Sequence, residues 1–351
     1  MKDLFDTAGI RTTYGSAVFA DHVPPVTAAA VRLLEEAGWT NVGKTNLHEF
    51  AYGTTSQNLH YGTVPNPRAP GRTAGGSSGG SAAALVTEEV DAALGTDTGG
   101  SIRIPAACCG IAGFKPSYGL MPTDGVFPLA PSFDHAGPMA RDVAGCAGLL
   151  RELVPGFETA PLASLDDVMV GVTWLDRCTP LVRARLQAVA ELFPRRVEID
   201  FPTAETVGPA FMREVGDVHR ELYATHSDLY GENIAGKIER CLEISDGEYS
   251  AAQRARQEHA ERAHAALEHC DLVLAPTLGF VAPPADVVEP EVRGTLTIFT
   301  FPFNALGWPA LALPCGTAED GLPASVQIAG RQGSDALVLA AGLTLEGAVK
   351  A

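Results

Sequence analysis

Two stretches set hydroxyl side chains among consecutive glycines. The first is "GRTAGGSSGGSAAALV", Gly71 to Val86, and the second is "LGTDTGGSIRIPAACCG", starting at Leu94. Consecutive glycines let backbone N–H groups converge on one point, because no Cβ obstructs them. In Thr98-Gly99-Gly100-Ser101 those groups surround the position beside a serine hydroxyl. That pattern reads as a nucleophile, Ser101, beside its own oxyanion hole. A serine hydroxyl is a weak nucleophile and needs a base. Among the nine histidines none stands out as the partner. A second serine can relay the proton if something beyond it accepts the charge. Ser77 is the candidate relay, and a lysine the terminal base.

Other readings of the patches are weaker. A flexible linker does not run within one residue into "SAAALV". Gly76 to Gly80 satisfies G-x-S-x-G, with Ser78 as the nucleophile of an elbow, but that motif follows a hydrophobic strand. The residues before it, "NPRAPGRTA", are too rich in proline for a central strand. Asp97-Thr98-Gly99 matches an aspartic-protease loop, yet the chain has no second D-[TS]-G to share a proton.

These residues need elements to hold them. "VTAAAVRLLEEAG", Val26 to Gly38, predicts an amphipathic helix with Thr27 as N-cap and Gly38 as its stop. A helix is expected to begin at Ser81, and a short strand over 90–94 feeds the second patch. Strands are predicted over 168–173, 271–275, 309–314 and 324–329, and helices over 181–193, 204–229, 247–269 and 335–346. The mixed order implies an α/β architecture. The whole chain is expected to be one domain. Residues 1–150 and 291–351 would form its catalytic core, and 151–290 a more variable helical cover.

Composition narrows the partners. The chain has 351 residues, 46% hydrophobic and 19% charged, with a formal net charge of -17. No basic face can be drawn, so nucleic acid is not an expected partner. No apolar run approaches a membrane span and no signal-peptide pattern opens the chain. The seven cysteines show no C-x-x-C spacing and sit in apolar surroundings, which implies reduced thiols and a cytoplasmic location. The histidines form no metal motif, so neither metal nor other cofactor is expected.

Taken together, "GGSSGGSAAAL" and "LGTDTGGSIRIPAACCGIAGFKPSYG" resemble the amidase signature family of serine hydrolases. The similarity extends through "GKTNLHEFAYGTTSQN", "GTVPNPRAPGR", "PLAPSFDHAGPMARDV", "TFPFNALGWPALALPCG" and "GLPASVQIAGR". The resemblance implies a mixed central β-sheet covered by helices on both faces. It also implies a Ser–cis-Ser–Lys triad, here Ser101 as nucleophile, Ser77 as bridging serine after a cis peptide bond, and Lys2 of "MKDLFDTAG" as base. The lysine of "GKTN", Lys44, is not the one the family uses. Backbone N–H groups of Thr98, Gly99, Gly100 and Ser101 would hold the oxyanion. Ser78 and Arg103 would support, Arg103 either in the site or as a structural ion-pair partner. The pocket would be walled by the loop Tyr52, Gly53 and Thr54 and by residues 127–133.

The family carries a substantial segment before its catalytic lysine. The chain is therefore expected to begin late, leaving Lys2 on a frayed end without burial and uncoupled from the relay. The implied activity is hydrolysis of a carboxamide to carboxylate and ammonia or amine. The expected partners are a small-molecule amide and, at most, a second copy of the chain. One rival is the amidase component of the glutamyl-tRNA(Gln) amidotransferase, which releases ammonia from glutamine. That component holds its amino acid with an Asp and an Arg. Here Thr297 stands at the Asp position, and "NIAGKIERCLEIS" offers Lys237 and Arg240 without a clear match. The other rival is an inactive, truncated member of the family.

Overall fold

In a computed structural model describing residues 1–160 and 162–350, eight strands form one mixed sheet. They are β1 (Ala92–Asp97), β2 (Ala112–Lys115), β3 (His135–Ala140), β4 (Val170–Val172), β5 (Arg196–Glu198), β6 (Leu272–Pro276), β7 (Ala310–Thr317) and β8 (Pro323–Gly330). Their order across the sheet is β1-β3-β2-β7-β8-β6-β4-β5. β4 runs parallel to β5 and β6, and the other pairs are antiparallel.

The inner strand β6 is apolar on both sides because both faces of the sheet are covered there, whereas the edge strand β5 is exposed. On β6, Leu272 and Leu274 join one core while Val273 and Ala275 join another. This is the alternation of a strand, with apolar residues at every position. Among the described residues eleven α-helices accompany the sheet. The first four are α1 (Ala29–Glu36), α2 (Gly79–Val86), α3 (Arg103–Cys109) and α4 (Val143–Leu153). The middle of the chain adds α5 (Pro180–Glu191), α6 (Gly208–His226), α7 (Glu232–Leu242) and α8 (Asp246–Ala266). The last three are α9 (Glu289–Thr297), α10 (Phe301–Ala305) and α11 (Asp335–Lys350). Val143 and Leu150 of α4, Leu186 of α5 and Val338 of α11 share the core of Leu272 and Leu274. α2 and α3 pack beside β1 and β3 through Leu85, Ile102, Ala106 and Met139.

The expected α/β sheet with helices on both faces is what the structure shows. Residues 151–290 are more than a helical cover, since β4, β5 and β6 extend the sheet. Thr27 does not cap α1; its Oγ1 instead accepts the Ala8 N–H at 3.0 Å, and the cap position is Ala28. Among the described residues no helix is long and apolar enough to cross a membrane.

Candidate active site

Residues 98–102 turn the chain from β1 into α3. At Gly100, φ is +131° and a Cβ would lie 2.3 Å from Thr300 Oγ1, so glycine is required there. Thr300 Oγ1 donates to the Gly99 carbonyl at 2.6 Å. Asp97 fixes the loop from below. Its Oδ1 accepts the Gly100 N–H at 2.8 Å and its Oδ2 accepts the Ile102 N–H at 3.2 Å. Arg103 is fully buried and grips both oxygens, Nε to Oδ2 at 3.0 Å and Nη2 to Oδ1 at 2.9 Å. It also donates to Asn304 Oδ1 at 2.7 Å and Gln327 Oε1 at 3.0 Å. Burial alone would raise the Asp97 carboxyl, but the Arg103 guanidinium overrides it and holds the group well below the usual carboxylate range. Of the two readings of Arg103, the geometry matches the structural ion-pair partner.

The Gly100 N–H is thus already engaged. This corrects its place among the oxyanion donors, because an amide bonded to a carboxylate has no proton left to offer. Among the described residues, the loop N–H groups without an acceptor are those of Thr98, Gly99 and Ser101.

Ser77 follows a cis Gly76–Ser77 peptide, as the resemblance implies. The two glycine patches meet where the Ser78 N–H donates to the Ser101 carbonyl at 3.2 Å. The Ser78 side chain is buried and bonded to the Thr96 backbone, Oγ to O at 3.3 Å. That leaves no role for it as an elbow nucleophile. Lys2 Nζ donates to Ser77 Oγ at 2.7 Å and to Thr96 Oγ1 at 2.6 Å. No hydrogen bond joins the Ser77 and Ser101 hydroxyls among the described residues. Such relay bonds commonly tighten only when substrate is bound.

Lys2 is not frayed, and here the expectation is corrected. Its side chain is 0% exposed. Its N–H donates to the Leu94 carbonyl of β1 at 3.1 Å, and the Asp3 N–H and Met1 carbonyl bond Thr45 on the other side. Three consecutive residues are thereby stitched between β1 and the segment 43–45. Burial drives the Lys2 ammonium down to about 7, with Asp97 and Asp134 resisting only in part. An amine near neutrality can accept a proton at physiological pH, which an ordinary lysine, at about 10.4, does not. Lys44 donates instead to the Phe5 carbonyl and does not reach Ser77.

Ser101 opens onto a cavity of about 540 Å³, whose near wall also includes Thr98 and Gly99 and whose floor includes Tyr52, Gly53 and Thr54. Phe50 and Ala51 adopt left-handed φ values of 51° and 59°, bending the chain ahead of Tyr52. Gly53 must be glycine, since a Cβ would meet the His48 ring at 2.2 Å. Thr54 donates through N and Oγ1 to Glu289 Oε1 at 3.0 and 3.1 Å, and Glu289 pairs with Lys237. The far wall is mostly apolar, with Phe211, Met212, Ile298 and Phe301, and it carries Arg240, Arg293 and Thr297. Sequence reasoning missed Thr96, Asp97 as an acceptor hub, Asn304 and Arg293. "FPFN" held the one readable signal, an asparagine closing an apolar run. Burial holds the His48 imidazole neutral, near 3. All seven cysteines are buried and unpaired. Among the described residues no three His, Cys, Asp or Glu side chains group to hold a metal ion.

The fold is matched by known proteins. The chain belongs to the amidase family, whose model, described as Amidase, matches residues 1–161 and 212–339. It is 34% identical over 392 aligned positions to the A component of the glutamyl-tRNA(Gln) amidotransferase of Neisseria meningitidis serogroup A, covering 97% of this chain and 81% of that one. A crystal structure of an amidase superposes with a TM-score of 0.90 at 35% identity, covering 99% of this chain and 83% of that one. The corresponding A component of the glutamyl-tRNA(Gln) amidotransferase of Thermotoga maritima superposes with a TM-score of 0.81 at 27% identity, covering 98% and 81%.

Proposed function

We propose that the protein hydrolyses a carboxamide through an acyl-enzyme on Ser101. Ser101 Oγ attacks the amide carbonyl while Ser77 takes its proton and passes its own to neutral Lys2. The free N–H groups of Thr98, Gly99 and Ser101 receive the developing oxyanion. The proton returns through Ser77 to the nitrogen as the C–N bond breaks, releasing ammonia or an amine. Water then attacks the ester, giving up its proton by the same relay, and the carboxylate leaves with Ser101 restored. The observation that carries this reading is the buried Lys2–Ser77 hydrogen bond beneath the loop that presents Ser101 to the cavity. The test is release of ammonia from simple amides, with mass spectrometry of the trapped acyl group. Label on Ser101 supports the reading; turnover with label elsewhere, or turnover retained by S101A, defeats it.

A second reading is favoured by the relatives' names. As the glutaminase of an amidotransferase, the chain would release ammonia from glutamine, with partner proteins, for transfer to Glu-tRNA(Gln). Thr297, a neutral residue on the pocket wall, weighs against it, because the ammonium of glutamine would lack a carboxylate there. Ammonia release from glutamine that rises when the other amidotransferase components are added would favour this second reading.

A further inference from the structure

The cavity lining carries two cations, Arg240 and Arg293, against one carboxylate, Glu205. Behind that lining, Lys237 Nζ lies 5.3 Å from the centroid of the Tyr52 ring that Arg293 also approaches, and Tyr52 Oη is 3.2 Å from Cys241 Sγ. Burial pushes the Lys237 ammonium down to about 8, with Arg293 and Arg240 adding to the fall against the pull of Glu289. Glu289 is the carboxylate beside them, and it is already saturated by Lys237 and by Thr54 N and Oγ1. Glu205, the carboxylate of the cavity lining, is exposed.

Among the described residues neither Arg240 nor Arg293 makes an ion pair, and of the two Arg293 is the less exposed. Its guanidinium lies 4.4 Å from the Tyr52 ring centroid and 5.6 Å from that of Phe211. Among the described residues it makes no ion pair with a carboxylate, and Glu289 attracts it without direct contact. Two ring faces fix the plane of the group but do not neutralise its charge. Burial disfavours this guanidinium, but Tyr52 and Glu289 outweigh burial and keep it charged, and its fork of N–H donors matches a carboxylate edge to edge. The Phe211 ring that Arg293 approaches packs on Phe301, and Phe301 in turn lies beside Gly99; with Ile298 these rings line the same cavity and would accept an apolar stem.

We infer that the cavity selects amides bearing a single terminal carboxylate, held by Arg293 with Arg240 at the mouth, on an apolar stem and without an ammonium. The substrate class is the monoamide of a dicarboxylic acid. This rests on the amidase reading for its chemistry, though the anion site stands on its own geometry. It also departs from glutamine, whose ammonium would meet the two arginines of the lining.

Two measurements test it separately. The first is calorimetric titration of the intact protein with succinate, glutarate and adipate, which requires no turnover. At least one should bind, R293Q should weaken it about ten- to a hundredfold, and R293K should recover part of the loss. If none binds the unaltered protein, or R293Q and R293K both bind as tightly as it does, the anion site is overturned. The second compares kcat/KM for glutaramate, pentanamide and L-glutamine. Glutaramate should lead by about tenfold or more, with R293Q removing the lead chiefly through KM. Hydrolysis that favours pentanamide or glutamine overturns the substrate class and leaves the amidase reading intact. Arg293-dependent binding of the dicarboxylates without hydrolysis of any amide supports the anion site and defeats the amidase reading instead.

Discussion

The two walls of the cavity are built in opposite ways. The near wall, from β1 through Ser101 to α3, is a lattice of buried polar groups in which Asp97 alone accepts from the loop, Arg103 and Asn304. The far wall, from α6, α7 and α9, is apolar side chains and cations on helices whose outer faces carry exposed charge. Position is fixed where hydrogen bonds are directional and dry. Packing of apolar side chains tolerates exchange as long as volume is kept. On the proposed function, the near wall would set how the reaction is done, and the far wall on what.

The largest effect should come from the near wall. S101A should lower amide turnover by roughly 10⁴- to 10⁶-fold, because nucleophile and relay act as a unit, while its melting temperature stays unchanged. Steady-state kinetics beside a thermal melt checks both. Loss of the fold instead would mean that Ser101 belongs to the lattice and not to the chemistry.

K2A should cost about 10²- to 10⁴-fold. In the unaltered protein the rate should rise with pH through about 7, as burial makes the amine neutral above that point. K2A should lose this rising limb in a pH–rate profile, and K44A should keep it. The reverse pattern would move the base to Lys44.

D97N should destabilise the fold by about 3–5 kcal/mol, since it strands the buried Arg103 guanidinium. The sign of the pH effect follows from the same pair. The folded Asp97 is held below its unfolded value, so its stabilisation is complete above the ordinary carboxylate range and fades as pH falls through it. Urea melts of both proteins between neutral pH and acid should converge toward the acid end. Parallel curves would deny the pair its role.

The smallest effect belongs to the helical face behind the far wall. Arg213 pairs with Asp217 and Asp246 in contact with solvent. R213A should leave rate and melting temperature within error, as exposed pairs usually do. A marked loss would show that α6 is held as tightly as the near wall.

The sequence exposes these walls unevenly. Strands with unbroken apolar runs, such as β6 and the first half of β7, stand out because burial on both faces leaves few polar residues to interrupt them. β1 is displaced from its predicted span because the glycine and aspartate of "LGTD" are poor strand formers, while the site needs Gly95, Thr96 and Asp97 there. β3, "HAGPMA", is not legible, since its proline and glycine read as a turn although every residue is buried. α4 is equally hard to read, though Asp142 caps it by accepting the Gly145 N–H at 2.8 Å. Ser77 and Ser101 are readable because glycine patches are rare inside apolar sequence. Arg293 is not, because its significance lies in what it fails to pair with, and a single chain of letters does not show partners.

The way Asp97 gathers the near wall has a consequence for descent. One carboxylate sets the loop glycine, the first turn of α3 and the end of α10, so a change there is felt by the whole reaction centre at once. Among the described residues the far wall is tied to it more sparsely, through Thr300 Oγ1 between the Gly99 and Thr297 carbonyls. A lineage can therefore recut the far wall one residue at a time, and each step trades one clientele for another while the act performed on it stays the same.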